Sequence, residues 1–363
     1  MTDSLSHLYF SSFQAARRLA RAPAREPEAR LHGHGFQLAL SLPSPLVPYD
    51  VEQADEKTTL SPIHPSAERW HTQIAEWDHQ SLNDFVAHPS DLRILQTFVK
   101  TLDVSGHEMA LSSMPDRGVR KDEQGNYFAW RSYRFESAHQ LPNVPPGHKC
   151  GRLHGHGFQA VIHIPVTHAE QEWNSDYHQL DLAWAPLYSQ LHHHYLNDIP
   201  GLPNPTSEWL AVWIWDQLKE VLPALSWITV FETASCGGHY DGMKHRIWKD
   251  FSIDSATEEA GMTFGHTWTL RLNLQGQLHP TFGWAMDFAD VKREFEPLFR
   301  SLDHQPLKEV VGLVSPDSAG LARWIRHHAH LVLPQLGRVD VLDGCGSGAS
   351  LDWGAGGIQV LAP

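Results

Sequence analysis

The chain has 363 residues, 28 basic and 42 acidic, and its formal charge of −14 argues against a general binder of nucleic acid or anionic membrane. No run of about 18 apolar residues exists and the N-terminus lacks the apolar core of a signal peptide, so neither a transmembrane helix nor export is expected. Three cysteines (Cys150, Cys236 and Cys345) make no disulfide framework and fit a reducing cytoplasm; 26 histidines and 14 tryptophans are the compositional oddity.

Read from the N-terminus, the chain repeats itself. The heptapeptide Leu-His-Gly-His-Gly-Phe-Gln occurs at Leu31–Gln37 and again at Leu153–Gln159, an offset of 122 residues. The same offset sets Phe13–Arg17 against Phe135–His139 without a gap. An offset of 111 residues then carries Ser207–Pro223 onto Ser318–Pro334, Asp176 onto Asp287, His193 onto His304 and Glu232 onto Asp343. Weaker echoes link Trp77–Asp84 with Leu191–Asp198, and Phe264-Gly-His266 with the His-Gly-His strand. Such periodicity marks tandem copies. Three are expected, over 1–128, 129–248 and 249–363, each of ordinary domain size.

Within the middle copy, alternation and β-branched residues predict strands over Tyr133–His139 and Gly157–Ile164. A helix is expected near Leu182–Leu191. A second, over Ser207–Leu222, starts after Pro205-Thr206, a stop-and-cap signal, and Leu210, Trp213, Ile214, Leu218 and Val221 form its apolar stripe. Strands near Ser226–Thr233 and His245–Phe251 close the unit. The short link into the next copy predicts copies packed side by side.

His154-Gly-His156 places two imidazoles on one face of a strand, because side chains alternate with period two. Gly155 lets another backbone approach. His139, ending the preceding strand, can supply a third ligand, and three neutral imidazoles with one open position make a catalytic zinc site. The first copy keeps His32 and His34 but has Arg17 in place of His139, and the third keeps only His266, with Thr257 near the first ligand position. One metal site per chain is therefore expected. Cys150 lies four residues before His154, where Lys149, a metal dication and a histidine are expected to lower its pKa. Its counterpart in the first copy is Glu28, so an Arg17–Glu28 ion pair is expected to fill that emptied site.

Phe135-Glu-Ser-Ala-His139, Cys150-Gly-Arg-Leu-His154-Gly-His156, the run from Leu191 through Leu218 and Phe231-Glu-Thr233 together resemble the 6-pyruvoyl-tetrahydropterin synthase superfamily. The 6-carboxy-5,6,7,8-tetrahydropterin synthase branch, which serves queuosine and other 7-deazaguanine pathways, is the most similar. The resemblance covers the whole middle copy and, weakly, its neighbours. It implies an α+β tunnelling fold: a four-stranded antiparallel sheet with two helices on one face, three such units closing one β-barrel ring. Single-domain members form trimeric rings that stack in pairs, so a homodimer of three-copy chains is expected, with no nucleic-acid or membrane partner.

The resemblance also assigns roles. Zinc falls to His139, His154 and His156, the base to Cys150, the catalytic histidine to His193, and the pterin anchor to Glu232, followed by Thr233. A carboxylate suits the anchor because it accepts two parallel N–H bonds. One departure stands out: the aspartate expected before His193 is His192, whereas Asp78-His79 and Asp303-His304 keep the pair. In single-domain relatives cysteine and Asp-His come from neighbouring protomers, so an outer copy is expected to serve Cys150, with Asp303-His304 preferred over Asp78-His79. The implied reaction converts 7,8-dihydroneopterin triphosphate to 6-carboxytetrahydropterin with loss of triphosphate and a two-carbon fragment, a lyase reaction needing zinc and no redox cofactor. Lys149 and Arg152 are candidates to hold the triphosphate, as is the Arg17, Arg18, Arg21, Arg25, Arg30 cluster. The alternatives are 6-pyruvoyl-tetrahydropterin synthase activity and a non-catalytic pterin-binding protein.

Overall fold

The computed structural model describes residues 3–20, 22, 24, 26–44, 65–166 and 175–354. The first copy runs β1 (Ser4–Arg17), β2 (His32–Ser44), α1 (Pro65–Trp77), the two-residue β3 (Gln80–Ser81), α2 (Asp91–Leu102), β4 (Glu108–Met114) and β5 (Arg117–Lys121). The middle copy follows with β6 (Tyr127–His139), β7 (His154–Pro165), α3 (Ser175–Leu191), α4 (Ser207–Lys219), β8 (Trp227–Thr233) and β9 (Cys236–Tyr240). The third comprises β10 (His245–Glu259), β11 (Met262–Gln275), α5 (Phe288–Leu302), the two-residue β12 (Gln305–Pro306), α6 (Ser318–Ala329), β13 (Leu336–Asp343) and β14 (Ser347–Asp352).

The twelve longer strands form one antiparallel ring, β1-β2-β4-β5-β6-β7-β8-β9-β10-β11-β13-β14, and β14 pairs back onto β1 from Ser4 opposite Asp352 to Tyr9 opposite Ser347. Among the described residues, closure leaves no long strand with an unpaired edge. The copies join through hairpins, Lys121 opposite Tyr127 and Tyr240 opposite His245, so boundaries after residues 128 and 248 fall inside β6 and β10.

Alternation decides which side chains meet the helices. In β7, Phe158, Ala160, Ile162 and Ile164 pack with Leu210, Ala211, Trp213, Ile214 and Leu218 of α4. The opposite face, which lines the barrel, is also filled: His163 stacks on Trp227 at 4.2 Å between centroids, and Thr229 meets His239 at 3.0 Å. The first two copies share one continuous core; the core of the third takes in Leu5 of β1. Side-by-side packing is thus built into the apolar pattern. Helix starts follow their caps: the Thr206 side chain accepts from the Trp209 N–H, and Ser90, Asp287 and Asp317 cap α2, α5 and α6 alike.

Three expectations change. The fourth strand of the middle copy is β9, whose Cys-Gly-Gly-His-Tyr sequence carries no strand signal, whereas His245–Phe251 belongs to β10. The helix expected near Leu182 begins at Ser175. Val221 lies beyond the end of α4 and is 59% exposed, so the apolar stripe stops at Leu218. Among the described residues no helix is long and apolar enough to cross a membrane.

Candidate active site

The β6–β7 hairpin gathers three imidazoles. Its register sets His139 opposite His154 and Ser137 opposite His156. The glycine between His154 and His156 matters because a Cβ at Gly155 meets the Ser137 carbonyl oxygen at 3.1 Å. The ligand atoms of His139, His154 and His156 all lie within 4.8 Å of one another.

Outer hydrogen bonds fix the tautomers. His139 Nδ1 donates to the Pro205 carbonyl at 2.9 Å and His154 Nδ1 to the Arg152 carbonyl at 2.7 Å. In the neutral rings each Nε2 then carries a lone pair. These two nitrogens face each other at 3.1 Å, a repulsive arrangement that a cation between them relieves. His156 Nε2 is buried with no hydrogen-bond partner. Burial pushes His139 down to about 4, the two neighbouring imidazoles adding to it against the Pro205 bond, and burial lowers His156 as well. Ligands for a metal must be neutral imidazoles, and the donor set fits an ion with one open position.

Two carboxylates flank the triad. Glu232 Oε1 lies 3.4 Å from His156 Nε2, and its side chain is 17% exposed. Glu208, in the first turn of α4, is buried and accepts from the Ala285 N–H at 3.2 Å and from Ser207 Oγ at 3.2 Å. Burial raises both acids to about 7. The sign for Glu208 follows from linkage: an acid whose folded pKa is raised stabilises the fold below its unfolded pKa and loses that contribution as pH rises through the folded one. Unfolding free energy should fall by roughly 2 kcal/mol through this group between pH 5 and pH 8. Urea unfolding of Glu208→Gln at the two pH values checks this, and a slope equal to that of the wild type defeats it.

Cys150 occupies a single 3-10 turn, Lys149–Gly151, and is half-buried. Burial first, then the Glu232 carboxylate, pushes its thiol up against the opposing charge of Lys149. Lys149 acts in the expected direction, but burial and the Glu232 and Asp287 carboxylates outweigh it among the protein groups. The Cys150 N–H donates to His148 Nδ1 at 3.2 Å, and His148 Nε2 lies 2.7 Å from Asp287 Oδ2 of the third copy. The adjoining third-copy segment is docked onto the middle copy: Asn143 Nδ2 donates to the Thr281 carbonyl at 2.9 Å, Asn204 Nδ2 to that of Phe282 at 2.5 Å and Thr206 Oγ1 to that of Gly283 at 2.6 Å.

The sequence pattern of the 6-pyruvoyl tetrahydropterin synthase family matches residues 129–243 and again 242–352. The chain belongs to that family. A 6-carboxy-5,6,7,8-tetrahydropterin synthase of Synechocystis is 36% identical over 121 residues, 31% of this chain and 92% of that protein. A dihydroneopterin monophosphate aldolase of Pyrococcus furiosus is 30% identical over 118 residues, 31% of this chain and all of the relative. Among solved structures, the 6-pyruvoyl tetrahydropterin synthase of Caenorhabditis elegans aligns with 30% of this chain and 89% of its own at 22% identity, with a TM-score of 0.27. The chain is a tandem fusion of tunnelling-fold units of this pterin-synthase family, and it carries a three-histidine site able to hold a metal.

The remaining residues singled out from the sequence stay in their own copies. Asp78 accepts the Gln14 N–H at 2.8 Å and bonds His79 at 2.9 Å; Asp303 accepts the Asp254 N–H at 3.0 Å and pairs with His304 at 2.9 Å. In the middle copy His192 Nδ1 accepts the corresponding Glu136 N–H at 3.1 Å, so the imidazole replaces the lost aspartate as a backbone clasp. His79, His193 and His304 share left-handed backbone (φ 57°, 59° and 56°), and each N–H donates to the same strand carbonyl of its copy. Their rings are 73%, 68% and 76% exposed, and His193 touches Glu136 rather than Cys150. Thr233 Oγ1 bonds Cys236 Sγ at 3.1 Å in the turn after β8. Lys149 and Arg152 are exposed beside the site.

The positions that correspond to the triad hold other groups in the outer copies. Arg17 does not pair with Glu28: Arg17 Nη1 bonds Asp91 Oδ1 at 2.6 Å, both side chains about 95% buried, and Asp91 Oδ2 accepts from Ser113 and from Tyr177 of the middle copy at 2.8 Å each. That pairing also takes Arg17 out of the arginine cluster, of which Arg21 and Arg25 lie outside the described residues. In the third copy Thr257 Oγ1 bonds His266 Nε2 at 2.9 Å. The sequence reading gave no role to Glu208, His148 or Asp287; the repeat set Asp287 opposite Asp176, and its place ahead of an amphipathic helix was the further signal.

Proposed function

We propose that the chain is a zinc-dependent 6-carboxy-5,6,7,8-tetrahydropterin synthase acting on 7,8-dihydroneopterin triphosphate, with one site, in the middle copy (129–248). The carrying observation is the triad of His139, His154 and His156 with tautomers fixed by outer carbonyls beside Cys150 and Glu232. The 36% identity with a synthase of that name supports the branch.

His139, His154 and His156 would hold the zinc, which when bound would supply Lewis-acid polarisation at the substrate side chain. Glu232, screened from water, accepts the pterin's amino and ring N–H groups in its ionised form, which those two bonds favour against burial. Cys150 Sγ takes and returns protons along the side chain, and His304 with Asp303, or His79 with Asp78, serves as its relay. Lys149 and Arg152 reach into solvent where the triphosphate leaves. This reading makes the protein a cytoplasmic lyase of 7-deazaguanine (queuosine) biosynthesis, assembled as a homodimer of rings.

Incubation of the zinc-loaded protein with 7,8-dihydroneopterin triphosphate, with products identified by mass spectrometry, tests it. A 6-carboxy product is expected, and Cys150→Ala should form it about 10²- to 10⁴-fold more slowly. A 6-pyruvoyl product moves the protein to the sister reaction; tight pterin binding without turnover makes it a binding protein.

A further inference from the structure

The third copy has lost the metal ligands, yet it reaches the Cys150 turn through one carboxylate. Asp287 caps α5, its Oδ1 accepting the Ala289 N–H at 2.7 Å. Its Oδ2 meets His148 Nε2 at 2.7 Å, with the two side chains only 18% and 15% exposed. His148 is also the cap of the Cys150 turn, because its Nδ1 accepts the Cys150 N–H at 3.2 Å. With Nδ1 accepting, the proton must sit on Nε2, where it is donated to Asp287. A line of bonds therefore runs from the N-terminus of a third-copy helix, through one imidazole, to the backbone of the cysteine.

No other contact ties an outer copy's carboxylate to this turn among the described residues. Asp303 spends both oxygens on Asp254 and His304 of its own copy. We infer that His148 and Asp287 are positioning residues for Cys150, and that the third copy supplies half of the active-site seam through them. The pair sets where the sulfur sits; it neither touches substrate nor moves a proton. This rests on the reading of Cys150 as the base, but the bonds themselves are testable without turnover.

The experiment compares Asp287→Ala, Asp287→Asn and His148→Ala in the full chain. Asparagine keeps the helix cap through its single Oδ1 but turns an NH2 donor toward the His148 Nε2–H, so it removes the His148 bond while leaving α5 capped. In the absence of substrate, amide exchange at Cys150 should rise about 10-fold in Asp287→Ala, Asp287→Asn and His148→Ala, with β7 unchanged and, in Asp287→Asn, the first turn of α5 still protected. In the turnover assay Asp287→Ala and the cap-preserving Asp287→Asn should each lower kcat about 10-fold with KM within about twofold. Unchanged exchange at Cys150 in folded Asp287→Ala overturns the inference, whatever the activity. So does an unchanged kcat in an active enzyme. A wild-type protein that does not turn over the pterin but shows the exchange pattern overturns the proposed reaction and leaves the positioning pair standing.

Discussion

Replacing His139 with alanine should strip the metal from the middle copy. The side chain is 1% exposed, and its Nδ1 bond to Pro205 fixes the direction of Nε2 without help from a metal. Without it two imidazoles remain, His154 and His156, on one strand and without the facing donor that completes a tridentate site. Metal analysis of purified protein should fall from about one equivalent per chain to under about 0.1. Product formation should drop about 10⁴-fold, the scale of removing a Lewis acid from a charge-developing step. Chelator should lower the unfolding temperature of the wild type, because binding to the folded state stabilises it by mass action, and leave that of His139→Ala unchanged. A variant that keeps a full equivalent of metal places the ion elsewhere.

Asp91→Ala should be the most destabilising single change in the first copy. It leaves Arg17 buried beneath Phe36, 5.2 Å from the ring centroid, with its charge unpaired. Breaking a buried pair from one side typically costs about 3–5 kcal/mol. Replacing both partners, as in Arg17→Met with Asp91→Leu, should recover most of the loss, since a buried pair is worth little against packed apolar groups. The carboxyl also sets an acid limit. Burial works to raise it, but the Arg17 charge and three hydrogen bonds outweigh burial and hold it below the usual carboxylate range. Its stabilisation is therefore full above about pH 4 and fades as pH falls through the depressed value. Urea unfolding of the single and double variants checks the first claim. A single variant within about 1 kcal/mol of wild type removes the clasp from the account of stability.

The parts legible in the sequence are those that obey a local period. His154-Gly-His156 and the alternating residues of β7 declare a strand and its faces, and the repeated heptapeptide declares the duplication. Thr206 announces α4 because a cap acts within three residues. What could not be read depends on distance along the chain. Arg17 and Asp91 are 74 residues apart, and His148 and Asp287 are 139 apart. Nothing near Arg17 distinguishes Glu28 from Asp91 as its partner; only the register of β1 against the start of α2 does. β9 was missed because Gly237 and Gly238 carry no β propensity. They are glycines because Trp248 and the Glu208 backbone lie where their side chains would stand. Glu208 looked like any acidic residue opening a helix until the third copy closed over it.

A ring of three identical chains cannot lose a ligand at one seam alone, because each substitution appears three times. The pairing of β14 with β1 lets one chain close the ring by itself, and that symmetry constraint disappears. Each seam becomes a separate inheritance. One keeps the imidazoles, one has exchanged a metal position for the Arg17–Asp91–Tyr177 clasp, and one has settled for a threonine–histidine bond. Such a ring holds one three-histidine cluster among the described residues where three copies could each have carried one. It gains a scaffold in which two of the three corresponding places are closed by direct side-chain bonds, so the barrel there needs no ion to hold it.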